Sequence, residues 1–214
     1  LFSGIDPYSD KVLVIIRLSG GYDGLNVVLP LDQYSNLSKL RTNILIPDTK
    51  ALKISTETGL HPAMTGFNQL FQDGKLSVVH SVGYPNQNRS HFRSTDIWQS
   101  ASSANEYVNT GWLGRYFEDD HPRYPDGFPN GEFPDPFAIT LGSTVSETCQ
   151  GTIGNFSLTL TDPFNFGKLT EGKETLFPET PYGQELSFLR TSISQTNQYA
   201  DVIGAASKKG KNQA

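Results

Sequence analysis

Val12-Leu13-Val14-Ile15-Ile16-Arg17-Leu18-Ser19-Gly20-Gly21-Tyr22-Asp23-Gly24 is the stretch from which the rest of the chain is read. Its first five residues form a continuous apolar run rather than an alternating one. That pattern predicts a strand covered on both faces, the habit of a parallel α/β sheet. The glycines that follow predict a tight turn that carries Asp23 just past the strand end. A second stretch repeats the arrangement: Leu76-Ser77-Val78-Val79-His80 runs on toward Pro85-Asn86-Gln87-Asn88-Arg89-Ser90-His91. Ligands of parallel sheets bind beyond the carboxyl ends of the strands, which makes Asp23 and Ser90 the first residues to consider.

Between these stretches, His61-Pro62-Ala63-Met64 predicts a helix start, Phe67, Leu70 and Phe71 recur at helical spacing, and Asp73-Gly74 supplies a stop. Strand, crossover helix and strand in that order imply a right-handed parallel unit. Helical spacing resumes after Ser90, and Gly111-Trp112-Leu113-Gly114-Arg115-Tyr116-Phe117 predicts another short helix. Five prolines between residues 119 and 136 exclude a regular element there. A third strand is expected at Phe137–Leu141, irregular or hairpin cover over Cys149–Leu169, and a last helix from about Gln184 to Ser207. Three parallel strands make an incomplete sheet for a doubly wound fold.

The bulk properties narrow the function. With 214 residues the chain can bury a core, and 36% apolar residues with 20 Gly and 13 Pro predict much loop around few regular elements. A net charge of −5, with the only basic cluster at Lys208-Lys209-Gly210-Lys211, argues against a nucleic-acid partner. The single cysteine, Cys149, excludes an internal disulfide and a multi-cysteine metal site. No apolar run is long enough to span a membrane. Phosphate-loop, zinc-finger and Gly-x-Ser-x-Gly patterns are all missing.

Each candidate residue has a chemical and a structural reading. Asp23 suits a divalent cation at a strand end, or bonds local backbone N–H groups in an Asx-turn. Ser90 is either a helix N-cap or a nucleophile whose alkoxide the helix N-terminus stabilises. In the second case Arg89 or Arg93 would receive an anionic ester, with Asn86 and Asn88 near a non-bridging oxygen; in the first, the asparagines serve the turn. His91 adjoins Ser90 in sequence and therefore cannot face it from a helix. His80, His61 and the Glu118-Asp119-Asp120-His121 run are expected to be structural or solvated.

Four blocks together resemble a known family: Leu18–Asn26, Gly59–Ala63, His80–Phe92 and Gly111–Tyr116. It is the bacterial family called domain of unknown function 1501, and the likeness covers most of residues 11–118. The family is similar to the alkaline phosphatase and sulfatase superfamily. The resemblance implies a three-layer α/β/α fold with a mainly parallel sheet, incomplete here, with residues 1–214 as the N-terminal part of a single domain and 119–182 as a loop-rich insertion. It further implies Asp23 as ligand of a divalent metal (zinc, calcium, manganese or magnesium) and Ser90 as the catalytic nucleophile, with Asn88, Arg89 and Arg93 binding a small anionic phosphate or sulfate ester. The remaining metal ligands of the superfamily come from a C-terminal half, so that half is expected to be required. Members resemble exported proteins with twin-arginine leaders, which implies a periplasmic or cell-surface location. The alternative expectation is a catalytically degenerate scaffold or binding subunit of an envelope or cell-surface complex, with Asp119–Pro136 and Phe156–Phe166 as contact loops. Glycan or peptide binding through exposed Trp and Tyr is a third.

Overall fold

The computed structural model describes residues 11–18, 20, 22–162 and 177–210. Ser19, Gly21, the end of the Phe156–Phe166 loop and Lys211 therefore lie outside the described residues. The chain divides into two compact units, Leu1–Val82 and Gly83–Ala214. It is a mixed α/β protein with one antiparallel three-stranded sheet and one parallel pair of strands.

In the first unit, α1 (Gly24–Val27) leads directly into β1 (Val28–Pro30), followed by a 3-10 turn at Leu31–Gln33 and α2 (Tyr34–Leu40). After β2 (Leu52–Lys53) and β3 (Thr58–Leu60), the unit closes with α3 (Thr65–Gln72). β3 is the central strand and pairs antiparallel with both neighbours, Leu29 opposite Gly59 and Lys53 opposite Gly59. Leu29, Leu37 and Leu60 are the buried apolar residues of this unit. Gly59 permits the close approach: a β-carbon there would stand 2.9 Å from the Ala51 side chain. The segment 41–50 is tied down by Tyr34, whose hydroxyl donates to the Ile46 carbonyl at 3.0 Å and accepts from the Asp48 N–H at 3.1 Å. α3 ends as its sequence predicts. Gly74 takes φ +68°, its N–H donates to Phe71, and the Lys75 N–H reaches back to Leu70.

The two apolar runs expected as parallel strands form no ladder among the described residues. Val12, Val14 and Ile16 are 84%, 73% and 81% exposed, and Val79 is exposed as well. A strand is made by its partners: apolar, β-branched sequence supplies the side chains, but the ladder needs hydrogen-bonding neighbours on either side. The unit's sheet is built instead from short segments to which the sequence reading assigned no element.

The second unit holds the longer helices: α4 (His91–Ser100), α5 (Trp112–Asp120) and α6 (Pro181–Lys209). Its strands β4 (Ala138–Leu141) and β5 (Ser157–Leu160) pair in parallel, Ile139 opposite Leu158. β4 is the expected third strand, whereas β5 occupies a stretch read as irregular or hairpin cover and pairs in parallel with β4. Leu160 packs with Tyr199 and Ile203 of α6 to form the buried core. α6 starts on the signals its sequence carries: the Thr180 side chain accepts from the Gly183 N–H at 3.2 Å, and Pro181 fills the first turn.

The proline-rich segment after α5 is a packed structure. His121, Tyr124, Phe128, Phe133, Phe137 and Phe156 form one aromatic cluster, with Tyr124 stacked on Phe156 at 4.3 Å and His121 4.4 Å from Phe137. Gln195 of α6, itself buried, donates from Nε2 to the carbonyls of Pro125 and Phe128 at 2.7 and 2.8 Å. Prolines that forbid a helix here leave backbone carbonyls without partners, and one amide side chain satisfies two of them.

Candidate functional site

Asp23 belongs to the first unit and Ser90 to the second. Asp23 directly precedes α1, and its carbonyl accepts from the Asn26 and Val27 N–H groups. Its carboxylate forms an ion pair with Arg41, just past the end of α2, and accepts from Asn26 Nδ2 at 2.9 Å. The Arg41 guanidinium, bonded to the carboxylate, holds the Asp23 carboxyl below the usual carboxylate range. Asn26 Nδ2 also donates to the Ile44 carbonyl at 3.0 Å, so the whole turn is fastened to the segment after α2. The local backbone contacts expected of Asp23, with the Leu25 and Asn26 N–H groups, are thus joined by a longer-range ion pair.

Asp23, the metal ligand the resemblance implies, is already engaged by Arg41. Arg41 places a positive charge against the carboxylate where a cation would have to sit. Among the described residues, no three His, Cys, Asp or Glu side chains gather closely enough to hold a metal ion. The acidic run after Trp112 offers no alternative. Glu118 accepts from the Thr152 N–H at 3.0 Å and its hydroxyl at 2.9 Å, and His121 turns into the aromatic cluster.

Ser90 is the N-cap of α4, its Oγ accepting from the Arg93 N–H at 3.4 Å. Its own N–H donates to Asn88 Oδ1 at 2.8 Å, so Asn88 serves the turn that delivers Ser90. The same turn is braced by Tyr84, whose hydroxyl accepts from the Asn88 N–H at 3.0 Å and lies 3.0 Å from Ser94 Oγ. Asn86 adopts a left-handed conformation within it. Arg89 and His91 are exposed. Ser90 thus stands exposed at a helix start, its hydroxyl held by a single long bond, with Arg89 next to it.

Arg93 lies elsewhere. Its side chain is buried, and Nη2 donates to the carbonyls of Ser103, Ala104 and Glu106 at 3.0, 3.2 and 2.5 Å. The guanidinium carbon lies 4.0 Å from the ring centre of Tyr107. Arg93 therefore organises the segment after α4. His80 approaches Thr58 Oγ1 at 3.3 Å, and His61 Nδ1 accepts from the Ala63 N–H.

Three features escaped the sequence reading. Arg41 carried no signal, because its pairing with Asp23 depends on how the segment after α2 folds back. Tyr107 lay in a stretch without periodicity. The Gly-x-x-Gly of α5 was visible, but its meaning required the neighbour. A β-carbon on Gly111 would stand 2.1 Å from the Glu147 and Thr148 carbonyl oxygens, and one on Gly114 would stand 2.1 Å from that of Gln150. These glycines let α5 lie directly on the 147–151 backbone, where the Gly111 N–H donates to Gln150 at 2.8 Å.

No family model, curated protein or solved structure matches the chain.

Proposed function

We propose that this protein is a binding or scaffold subunit of a bacterial envelope or cell-surface assembly, extracytoplasmic and built on an alkaline phosphatase-like fold without working as an ester hydrolase. The resemblance of its four sequence blocks to the domain of unknown function 1501 family supports the fold and location. In such a fold, residues 12–18 and 76–80 would be strands of a larger, mainly parallel sheet. The observation that carries the functional reading is the ion pair between Asp23 and Arg41. A carboxylate engaged by a guanidinium has its charge neutralised and its lone pairs directed at N–H groups, the opposite of what a metal ligand needs. The proline-rich segment suits a contact surface, because the aromatic cluster and Gln195 hold it in one shape.

A second reading rests on the exposed Ser90 hydroxyl at the start of α4. On that reading Ser90 is the nucleophile of a phosphate or sulfate ester hydrolase, Arg89 meets the anion, and Arg41 yields Asp23 to a metal.

Metal content by mass spectrometry on the natively purified protein, beside Asp23→Ala and Ser90→Ala variants, separates the two. Our reading expects no stoichiometric zinc, calcium, manganese or magnesium, and no turnover of p-nitrophenyl phosphate or sulfate. Stoichiometric metal lost in Asp23→Ala, with turnover abolished by Ser90→Ala, would replace it with the hydrolase.

A further inference from the structure

Arg93 is a buried cation with incomplete partners. One of its terminal nitrogens is shared among three carbonyls and Tyr107 covers the guanidinium, yet among the described residues no carboxylate lies within ion-pair distance. Its Nε–H is buried and has no acceptor among the described residues. A charged group with an unsatisfied donor is costly to bury, and an acceptor brought by a ligand would relieve that cost.

Arg93 lines a cavity of about 410 Å³ between α4, the 107–110 segment and residues 147–150. That volume lies within the range of about 300–1,000 Å³ usual for small-molecule sites. Gln99 is buried with Arg93, Asp96 is half-buried, and Asn109, Glu147 and Tyr107 are exposed. The chemistry of this wall is selective. Arg93 only donates, the carboxylates of Asp96 and Glu147 only accept, and the amides of Gln99 and Asn109 do both. Two carboxylates repel a simple anion, and the buried guanidinium repels a simple cation. Adjacent groups that each donate and accept without net charge satisfy all of them, and a run of hydroxyls on a ring is such a set. Tyr107, 78% exposed beyond its contact with Arg93, adds a flat apolar surface for the C–H face of such a ring.

We propose that this cavity binds a neutral polyhydroxylated ring, a hexopyranose or the end of a short glycan, with Arg93, Asp96, Gln99, Asn109 and Glu147 as hydrogen-bonding residues and Tyr107 as platform. The site is separate from the contact loops and from Ser90, so it stands whether or not the protein hydrolyses esters.

The test is amide-resolved NMR of the intact protein, titrated separately with D-glucose, D-galactose and N-acetyl-D-glucosamine, and with sodium phosphate and sodium acetate as anionic probes. At least one sugar is expected to shift the amides of Arg93, Tyr107–Thr110 and Glu147 saturably. Glu147→Gln and Asn109→Ala are each expected to weaken that sugar about tenfold, while the melting temperature of the ligand-free protein stays unchanged. The exposed positions of these two residues keep the test clear of folding defects that Arg93 variants would bring. No shift with any of the three sugars up to roughly 100 mM would overturn the proposal. So would shifts caused by phosphate or acetate alone, and so would sugar binding that survives both substitutions.

Discussion

Asp23 and Tyr199 show how a single side chain's surroundings set its energetic sign. Arg41 depresses the Asp23 carboxyl below its ordinary 3.8. A group with a lowered folded-state pKa stabilises the fold at pH above its ordinary value, and that contribution is lost as pH falls through the folded value. Arg41→Ala should therefore reduce stability at neutral pH by less than about 1 kcal/mol, since the pair is partly exposed. Urea unfolding of both proteins at about pH 7 and about pH 2 should show the difference at the first and its loss at the second. Tyr199 is the opposite case. Its ring belongs to the core, but its hydroxyl is buried with no hydrogen-bond partner among the described residues, and burial pushes its pKa far up. Tyr199→Phe removes the orphaned hydroxyl and keeps the ring, so it should raise stability by about 1 kcal/mol, read as a higher denaturation midpoint with unchanged slope.

At the scale of elements, α5 lies directly on the 147–151 backbone. Gly111→Ala and Gly114→Ala each force a methyl group into carbonyl oxygens and should cost at least about 2 kcal/mol. Gly204 in α6 is the control, since a β-carbon there meets nothing within 4 Å and Gly204→Ala should gain about 0.5–1 kcal/mol. Thermal melts of the three variants measure both signs. Helices were legible from sequence because their signals are local: Asp73-Gly74 stops α3 and Ser90 caps α4, while α6, expected from about Gln184, begins one turn earlier at Thr180-Pro181. Strands were not, because pairing is decided by residues far away. Val12–Ile16 has the stronger strand composition, yet Thr58–Leu60, with a glycine at its centre, holds the middle of the sheet. The candidate site divided along the same line. Ser90 as a cap followed from its neighbours, whereas the partners of Asp23 and Arg93 lie 18 and 10–13 positions away.

The whole molecule carries two units in which, among the described residues, few apolar side chains are buried and many are exposed. Among the described residues no helix is long and apolar enough to cross a membrane. The exposed run Val12–Ile16 is a liability: it is apolar, largely β-branched and without ladder partners among the described residues, the kind of segment that pairs with its own copies. Val14→Lys should lower self-association, followed by light scattering against concentration, and leave the melting temperature of dilute protein unchanged. Self-pairing through this segment would rise with concentration, so a sample that looks sound in a dilute melt would still be lost in the concentrator.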